Sequence, residues 1–222
     1  MEMRKYFIFY IFLTSCSSDF DLQNGDILFQ DLDSSELCTA IESVTNGYMQ
    51  SDLSHIGIVI KKNEEILVIE AIPPKVILTP IDTFLSRSRD DNEKPKVLVG
   101  RLKPKYKHFI DKSIDYCLSK VGCDYDKEFI FENSSFYCAE LIYNSFDNDE
   151  IFKAEPMSFE NPNDENILKI WEEYYSNLNK PIPKNKLGIN PGLMSRSEAI
   201  EIVYIYGLPN GYKSKNDKNE IY

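Results

Sequence analysis

The chain has little of several residue types that particular classes of protein need. Among its 222 residues are only two His, so a zinc site built from Cys and His is poorly supported. There are nine Gly, and neither the dinucleotide-binding nor the P-loop glycine pattern occurs. Lys and Arg total 25 against 36 Asp and Glu, which gives a formal net charge of −11. Because nucleic-acid binding depends on basic surfaces, we expect no nucleic-acid partner, and nothing indicates a metal or another cofactor.

In other respects the amino-acid composition is that of an ordinary globular protein. Hydrophobic residues make up 42% of the chain and charged residues 27%, which excludes a disordered or collagen-like chain. The length suits one domain with enough residues to bury a core.

The N-terminus has the features of a bacterial lipoprotein signal peptide. Arg4 and Lys5 precede an apolar run of eight residues, 6–13, which is too short to span a bilayer. The run ends in Leu-Thr-Ser-Cys, which resembles the bacterial lipobox and would make Cys16 the lipidated first residue of the mature chain. We therefore expect a signal peptide at 1–15, a tether at 16–24 and a membrane-anchored protein of the cell envelope. The alternative is a buried N-terminal strand in which Cys16 is incidental.

Four cysteines follow Cys16 without a spacing that indicates a function. They are Cys38, Cys117, Cys123 and Cys138. An exported chain can form disulfides, but this spacing specifies neither a disulfide framework nor a CxxC pair.

The hydrophobic pattern predicts a mixture of short strands and helices. Strands are expected at 27–29, 55–60, 66–71, 76–78, 97–99 and 200–206. Helices are expected at 34–46, 81–85, 106–120, 135–146 and 167–178, with an acidic insertion loop at 147–165. Because these elements do not alternate regularly as βαβ units, we predict an α+β fold with a small antiparallel sheet packed against helices.

A hairpin joins the second and third strands and brings two polar residues together. If its loop is 61–64, paired residue numbers sum to 125, and His55 faces Glu70 across the strands. A carboxylate there can fix the tautomer of the imidazole and stabilise its protonated form. A register slip of one residue would place the two side chains on opposite faces. The alternatives are a structural His55 and an edge-strand Glu70 that reaches solvent.

Cys138 is expected near the start of a helix. Residues 133–135 are Asn-Ser-Ser, which are common N-caps. A thiol in the first turn lies beside the positive helix end and its free N–H groups, which favour the thiolate. Cys138 would then be the nucleophile and His55 the base, with backbone N–H groups holding an oxyanion. The alternative is a buried core thiol in line with Ile142 and Phe146.

The order of five segments resembles a known family. Gly-Asp-Ile at 25–27, the runs SHIGIVI and VIEA, a Tyr-Asp pair and FYCAELI follow one another as in the permuted, YiiX-like branch of the NlpC-type papain-like cysteine peptidases and amidases. The resemblance implies a circularly permuted papain-like domain at 25–207, followed by a polar tail at 208–222. It implies Cys138 as nucleophile, His55 as base and Glu70 as the group that orients His55. It implies supporting roles for four further residues, Asp26, Tyr125, Asp126 and Tyr137.

Together these features predict an exported, lipid-anchored cysteine hydrolase. The expected substrate is an amide in a cell-wall peptide, because the anchor would place the enzyme beside that polymer. Two alternatives stay open: a lipid amidase or acyltransferase that uses the same residues, and a catalytically silent envelope binding protein.

Overall fold

The computed structural model describes residues 20–214 except 64, 132, 147 and 148. The strands are β1 (Ile27–Gln30), β2 (His55–Lys62), β3 (Glu65–Ile72), β4 (Lys75–Pro80), β5 (Val97–Leu102), β6 (Glu155–Pro156), β7 (Leu187–Gly188) and β8 (Ile200–Ile205). The α-helices are α1 (Glu36–Ser43), α2 (Ile81–Leu85), α3 (Ile110–Ser119), α4 (Cys138–Phe146), α5 (Asn166–Leu178) and α6 (Pro191–Ser195). The predicted signal peptide, the lipidation site Cys16 and residues 215–222 lie outside the described residues.

Six strands form one antiparallel sheet in the order β4-β3-β2-β1-β5-β8. Strands β6 and β7 form a separate two-stranded sheet. Helix α4 packs on β2 and β3, with α3 beside it, and α1 packs on α5. The prediction of an α+β fold with an antiparallel sheet against helices is therefore confirmed.

Both faces of the large sheet are covered, because side chains alternate between the faces along each strand. The helix-covered face buries Ile56, Ile58 and Ile69 in the main core. The opposite face carries a smaller core that includes Val59 and Phe84. Apolar residues on both faces explain why β2 and β3 read as nearly continuous hydrophobic runs.

The hairpin register differs from the sequence prediction by two residues. Ile58 pairs with Ile69 and Lys62 pairs with Glu65, so paired numbers sum to 127 rather than 125. The strands extend further than expected because Asn63 takes the left-handed conformation (φ 50°) that a tight turn needs and that Asn tolerates. The predicted register was therefore wrong, but an even shift leaves His55 and Glu70 on the same face.

A glycine makes room for the resulting diagonal contact. Gly57 lies two residues after His55 on the same face of the hairpin, and the register places it opposite Glu70. A Cβ atom at Gly57 would collide with Val68 Cγ1 and would lie 3.4 Å from Glu70 Cβ. The missing side chain lets the groups on either side approach each other.

Helices α1, α3 and α4 begin two to four residues later than expected. Residues Pro104–Phe109 form a 3-10 helix before α3. Helix α4 begins at Cys138 itself, because Phe136 pairs with Tyr125 in an isolated parallel bridge. Asn133 closes a local turn by accepting the Ser135 N–H at 2.7 Å. The cap-forming residues 133–135 thus form a turn before that bridge.

Both described ends of the chain contact the sheet or its loops. Phe20 stacks on Tyr204 with ring centroids 4.5 Å apart. The Asn210 backbone accepts the Asp52 N–H at 2.8 Å. Within the described part of the chain, no helix has both the length and the apolar character needed to cross a membrane.

Candidate active site

His55 and Glu70 form a buried hydrogen-bonded pair on the face of the sheet that carries Phe84. His55 Nε2 lies 2.5 Å from Glu70 Oε2. The exposed fractions of the two residues are 4% and 0%. The contact is diagonal across the hairpin, at a separation that long side chains can bridge. The pair occupies Nε2, so the ring nitrogen left for another partner is Nδ1.

Glu70 receives further hydrogen bonds from two residues on other segments. Arg87 donates from Nη1 to Oε2 at 2.7 Å and from Nη2 to Oε1 at 2.6 Å. Thr79 Oγ1, on β4, donates to Oε1. Burial alone would raise the pKa of Glu70, but the hydrogen bonds and charges of Arg87 and His55 outweigh it and lower the pKa to about 2. Glu70 is therefore a carboxylate at every physiological pH.

Arg87 and Thr79 were not found by sequence reasoning. Arg87 lies in a charged loop after α2, where many polar residues have no functional contact, and Thr79 lies on an edge strand. Only the direct contacts identify them. Arg87 Cζ also lies 5.3 Å from the centroid of the Phe84 ring, which is 5.8 Å from that of His55. Phe84 and Arg87 thus pack against the His55–Glu70 pair.

Cys138, the first residue of α4, contacts the backbone beside this pair. Its Sγ donates to the carbonyl oxygen of Ser54, the residue before His55, at 3.9 Å. Burial would lower the pKa of His55, but hydrogen bonds with Cys138 and Glu70 outweigh it and raise the pKa to about 9. The Glu70 carboxylate therefore stabilises the protonated imidazole, and a thiolate at Cys138 would add a second negative charge that does the same.

The start of α4 presents backbone N–H groups beside the thiol. The Tyr137 carbonyl accepts the Leu141 N–H at 3.1 Å, which makes Tyr137 the N-cap. Glu140 Oε2 accepts the Tyr137 N–H at 3.4 Å, as in half of a capping box. Burial raises the pKa of Glu140 to about 8, so little negative charge lies there at neutral pH. The N–H groups of the first turn have no partner within the helix and can hold an oxyanion.

Three of the four predicted supporting residues lie near Cys138. Tyr125 pairs with Phe136 just before α4, and burial and the nearby Cys138 raise its pKa well above the usual range. Asp126 accepts the N–H groups of Glu128 at 2.8 Å and Ile130 at 2.9 Å, so it braces a turn. The Tyr137 hydroxyl accepts the Ile189 N–H at 3.2 Å.

Asp26 is not brought to the site. It forms two hydrogen bonds with Arg101, at 2.7 and 2.8 Å, and so joins β1 to β5. The β1 residue opposite His55 is Gln30, four positions further along. At the usual strand rise, Asp26 lies roughly 13 Å from that position. Its observed role is structural.

A cavity of about 240 Å³ opens beside Cys138. Its wall includes the first turn of α4, the end of α1, the β6 region, α5 and the start of α6. Most of the lining is apolar: Ile41, Val44, Phe129, Phe159, Trp171 and Leu193. Ser54, the neighbour of His55, is part of the wall, whereas His55 is not.

No metal site accompanies these residues. Among the described residues, no group of three or more His, Cys, Asp or Glu is arranged to hold a metal ion. The four cysteines in that part of the chain, Cys38, Cys117, Cys123 and Cys138, are free thiols.

Comparison with solved structures identifies the fold. A crystal structure of YiiX from Escherichia coli O157:H7, described as a metalloprotein, superposes with a TM-score of 0.69 and 23% sequence identity. The superposition covers 83% of this chain and 98% of YiiX.

Sequence comparisons assign the family. This chain is 28% identical over 127 residues to YiiX of Escherichia coli K12, an uncharacterized protein. That match covers 57% of this chain and 58% of the relative, so it spans less than two thirds of the relative's length. A family model described as permuted papain-like amidase enzyme, YaeF/YiiX, C92 family, matches residues 21–204. The chain therefore belongs to the permuted papain-like amidase family of the YaeF and YiiX type.

Proposed function

We propose that this protein is a cysteine amide hydrolase in which Cys138 is the nucleophile, His55 the general base and acid, and Glu70 the group that orients His55. The observation that carries the proposal is the meeting of three segments. The end of β3 and the start of β2 supply a carboxylate hydrogen-bonded to an imidazole, and the first turn of α4 supplies a thiol that donates to the backbone carbonyl of Ser54, the residue before His55. This is the arrangement that activates a cysteine nucleophile.

In the first half of the reaction, His55 takes the proton of the Cys138 thiol. The thiolate attacks the amide carbonyl carbon, and a C–S bond forms. The oxyanion binds N–H groups at the start of α4. His55 then gives its proton to the leaving nitrogen as the C–N bond breaks. An amine departs, and the acyl group remains on Cys138 as a thioester.

In the second half, water replaces the amine. His55 takes a proton from the water, whose oxygen attacks the thioester carbonyl. The C–S bond breaks, the carboxylic acid leaves, and the thiolate and protonated His55 are restored. Glu70 keeps its charge in both halves and stabilises the imidazolium each time it forms.

The proposed substrate is an amide in the cell envelope. If Cys16 carries a lipid, the enzyme is held at a membrane beside cell-wall peptides, which are the first candidate. A lipid amide or lipid acyl transfer is the second candidate, and the apolar cavity beside Cys138 favours it.

No step of the proposal involves a metal ion. The Escherichia coli O157:H7 relative is described as a metalloprotein. The described residues of this chain hold no cluster of ligands that fits such an ion.

Thiol labelling combined with a hydrolysis assay tests the proposal. Iodoacetamide should alkylate Cys138 in the wild type, and more slowly in His55→Ala, because the variant lacks the base. Cys123 is partly exposed and lies outside the site, so its rate is an internal control. Release of amines from cell-wall peptides or lipid amides should require Cys138. The proposal is contradicted if Cys138→Ala hydrolyses the substrate as fast as the wild type does. It is also contradicted if Cys138 is alkylated at the same rate in His55→Ala as in the wild type.

A further inference from the structure

We propose that Glu140 is a positioning residue that holds the first turn of α4 ready for an oxyanion, and that it does so only while its carboxyl group is uncharged. This inference rests on the proposed function, because it uses Cys138 as the nucleophile. It adds a fourth residue to the site and a limit to activity at alkaline pH. Glu140 acts through the backbone of α4 rather than on the thiol or the substrate.

Glu140 is a buried acidic residue in the first turn of the helix that carries Cys138. Its exposed fraction is 1%. The helix begins at Cys138 and Tyr137 is the N-cap, so Glu140 is at the position from which a Glu side chain can return to the cap. Glu140 Oε2 makes this contact by accepting the Tyr137 N–H at 3.4 Å. Glu is rarely fully buried unless it is paired, so this burial calls for a reason.

The contact with Tyr137 determines which N–H groups remain for the substrate. The first N–H groups of a helix have no acceptor within the helix. Glu140 accepts the one at the cap, and the next two belong to Cys138 and Ala139. These two lie beside the thiol, where the oxyanion forms in the proposed reaction. Glu140 therefore fixes the turn that presents them without occupying them.

The surroundings of Glu140 keep its carboxyl group uncharged at neutral pH. Burial removes it from water, and the charge of Asp126 repels a second carboxylate. Hydrogen bonds from the Tyr137 N–H and the Asn144 side chain favour the charged form, but burial outweighs them and raises the pKa of Glu140 to about 8. Burial also raises the pKa of the Tyr137 hydroxyl well above its usual range, so that group stays uncharged.

The titratable groups that α3 presents toward α4 do not offset this shift. Burial raises the pKa of Tyr116 above its usual value and that of Cys117 to about 12, so both are neutral where Glu140 titrates. The ammonium group of Lys120, at the end of α3, lies over the Tyr116 ring at 4.8 Å from its centroid. It is not among the groups that act on the Glu140 carboxyl group. Among the described residues, Glu140 therefore has a negative neighbour and no cationic partner.

An ionised Glu140, which forms above about pH 8, opposes the reaction. A carboxylate beside the cap attracts the N–H groups that the oxyanion needs. It also repels the thiolate and the oxyanion, because like charges interact strongly in a buried site. The charges of His55 and Glu70, on β2 and β3, pair with each other and do not cancel this repulsion. Activity should therefore fall as pH rises through 8, before His55 loses its proton at about 9.

A pH profile of acyl transfer by Glu140→Gln tests the proposal. Gln keeps an acceptor oxygen for the Tyr137 N–H and has no charge at any pH. The probe is p-nitrophenyl acetate with Cys138→Ala as the blank, because its leaving group needs no proton from His55. At about pH 6.5, kcat/KM of the variant should be within about twofold of the wild type. At about pH 9 only about one-tenth of wild-type Glu140 is neutral, so the variant should be about tenfold faster.

Two further variants separate positioning from other effects. Glu140→Leu removes the acceptor, so kcat/KM should fall about fivefold across the whole pH range, and Glu140→Gln should restore it near neutral pH. Glu42→Gln is the matched control, because burial also raises the pKa of Glu42 to about 8 but this residue lies on α1. Its ratio to the wild type should not change with pH. Infrared spectra of the carboxylic acid band follow both ionisations without a substrate, and thermal melts check folding.

Each contrary result has a separate meaning. The role of ionisation is overturned if the ratio of Glu140→Gln to the wild type stays near one at every pH, or if the Glu140 acid band disappears near pH 4.5. A ratio that rises equally in Glu42→Gln reflects a global alkaline change and overturns the assignment to Glu140. Unchanged kcat/KM in Glu140→Leu overturns the positioning role. If the wild type does not cleave p-nitrophenyl acetate in a Cys138-dependent way, the proposed function itself fails, and the inference falls with it.

Discussion

Arg87 binds both carboxylate oxygens of Glu70, and the same carboxylate holds the His55 ring. The side chain of Arg87 is 20% exposed and that of Glu70 is fully buried. An Arg–carboxylate pair of this geometry fixes the carboxylate plane as well as its charge. Arg87 therefore positions Glu70, and through it His55, without touching the thiol.

Replacing Arg87 by Met should lower the free energy of unfolding and shift the acid limb of the pH profile of kcat/KM. Removing one partner of a buried ion pair costs about 3 kcal/mol of unfolding free energy. The pKa of Glu70, now about 2, should rise. A lowered carboxylate pKa gives stability that is present above the unfolded value near 4.5 and is lost as pH falls toward 2. In the variant this pH window narrows, so less stability should be lost on acidification, whereas the acid limb of kcat/KM should move to higher pH.

Arg87→Lys is the control for this shift. It keeps the charge but cannot donate two parallel hydrogen bonds, so it should lie between the wild type and Arg87→Met. Urea unfolding and pH–rate profiles of the three proteins provide the comparison. An unchanged acid limb in Arg87→Met would mean that Arg87 has only a surface role.

Loss of Cys138 or of His55 should abolish most activity without unfolding the protein. Cys138→Ala should lower turnover by on the order of 10⁴-fold or more, with little effect on thermal stability. His55→Ala should lose nearly as much activity, because the residues act as a unit. If Cys138→Ser stays fully active while Cys138→Ala unfolds, Cys138 is a core residue and the hydrolase proposal is wrong.

Glu70→Gln should affect stability as well as activity. An amide has one acceptor oxygen, and its NH₂ group would face a donor on Arg87, Thr79 or His55 in a fully buried site. An unsatisfied buried group of this kind costs about 1–3 kcal/mol. Activity should fall without being abolished, since the oxygen can still hold the imidazole. Melts and hydrolysis rates of Glu70→Gln beside Glu70→Asp check both effects.

The protonation of His55 should be visible directly, because the chain has only two His. In a His108→Gln background, the remaining imidazole signal in NMR should titrate at about 9. A raised His pKa gives stability that is complete below the unfolded value near 6.5 and is lost as pH rises through 9. The free energy of unfolding should therefore fall across this window, and less so in His55→Gln. Titration near 6.5 would contradict the proposed ion pairing.

Lipidation of Cys16 stays a prediction from the sequence, because this residue lies outside the described part of the structure. Metabolic labelling with palmitate should mark the wild type but not Cys16→Ser. The variant also tests the envelope location, since loss of the lipid should release the processed protein from membranes. Equal labelling of both proteins would rule out the lipoprotein assignment.

The sequence predicted the main features of the site because they depend on neighbours along the chain. Alternation in β2 and β3 put His55 and Glu70 on one face even though the register was wrong by two residues. The register depends on the length of the turn between the strands. The left-handed conformation of Asn63 allows a shorter turn than the sequence predicted. The start of α4 was predicted too early, because the bridge between Phe136 and Tyr125 is a long-range contact with no local signal.

By itself, the sequence determined the order of the segments, the α+β class and the three residues proposed for chemistry. These follow from periodicity and residue type, which act over a few positions. Only the tertiary structure decided that Arg87 and Thr79 hold Glu70, that Asp26 pairs with Arg101 away from the site, and that a cavity adjoins Cys138. Most of these contacts join residues far apart in the chain, and they exist only once the sheet and the helices have packed together.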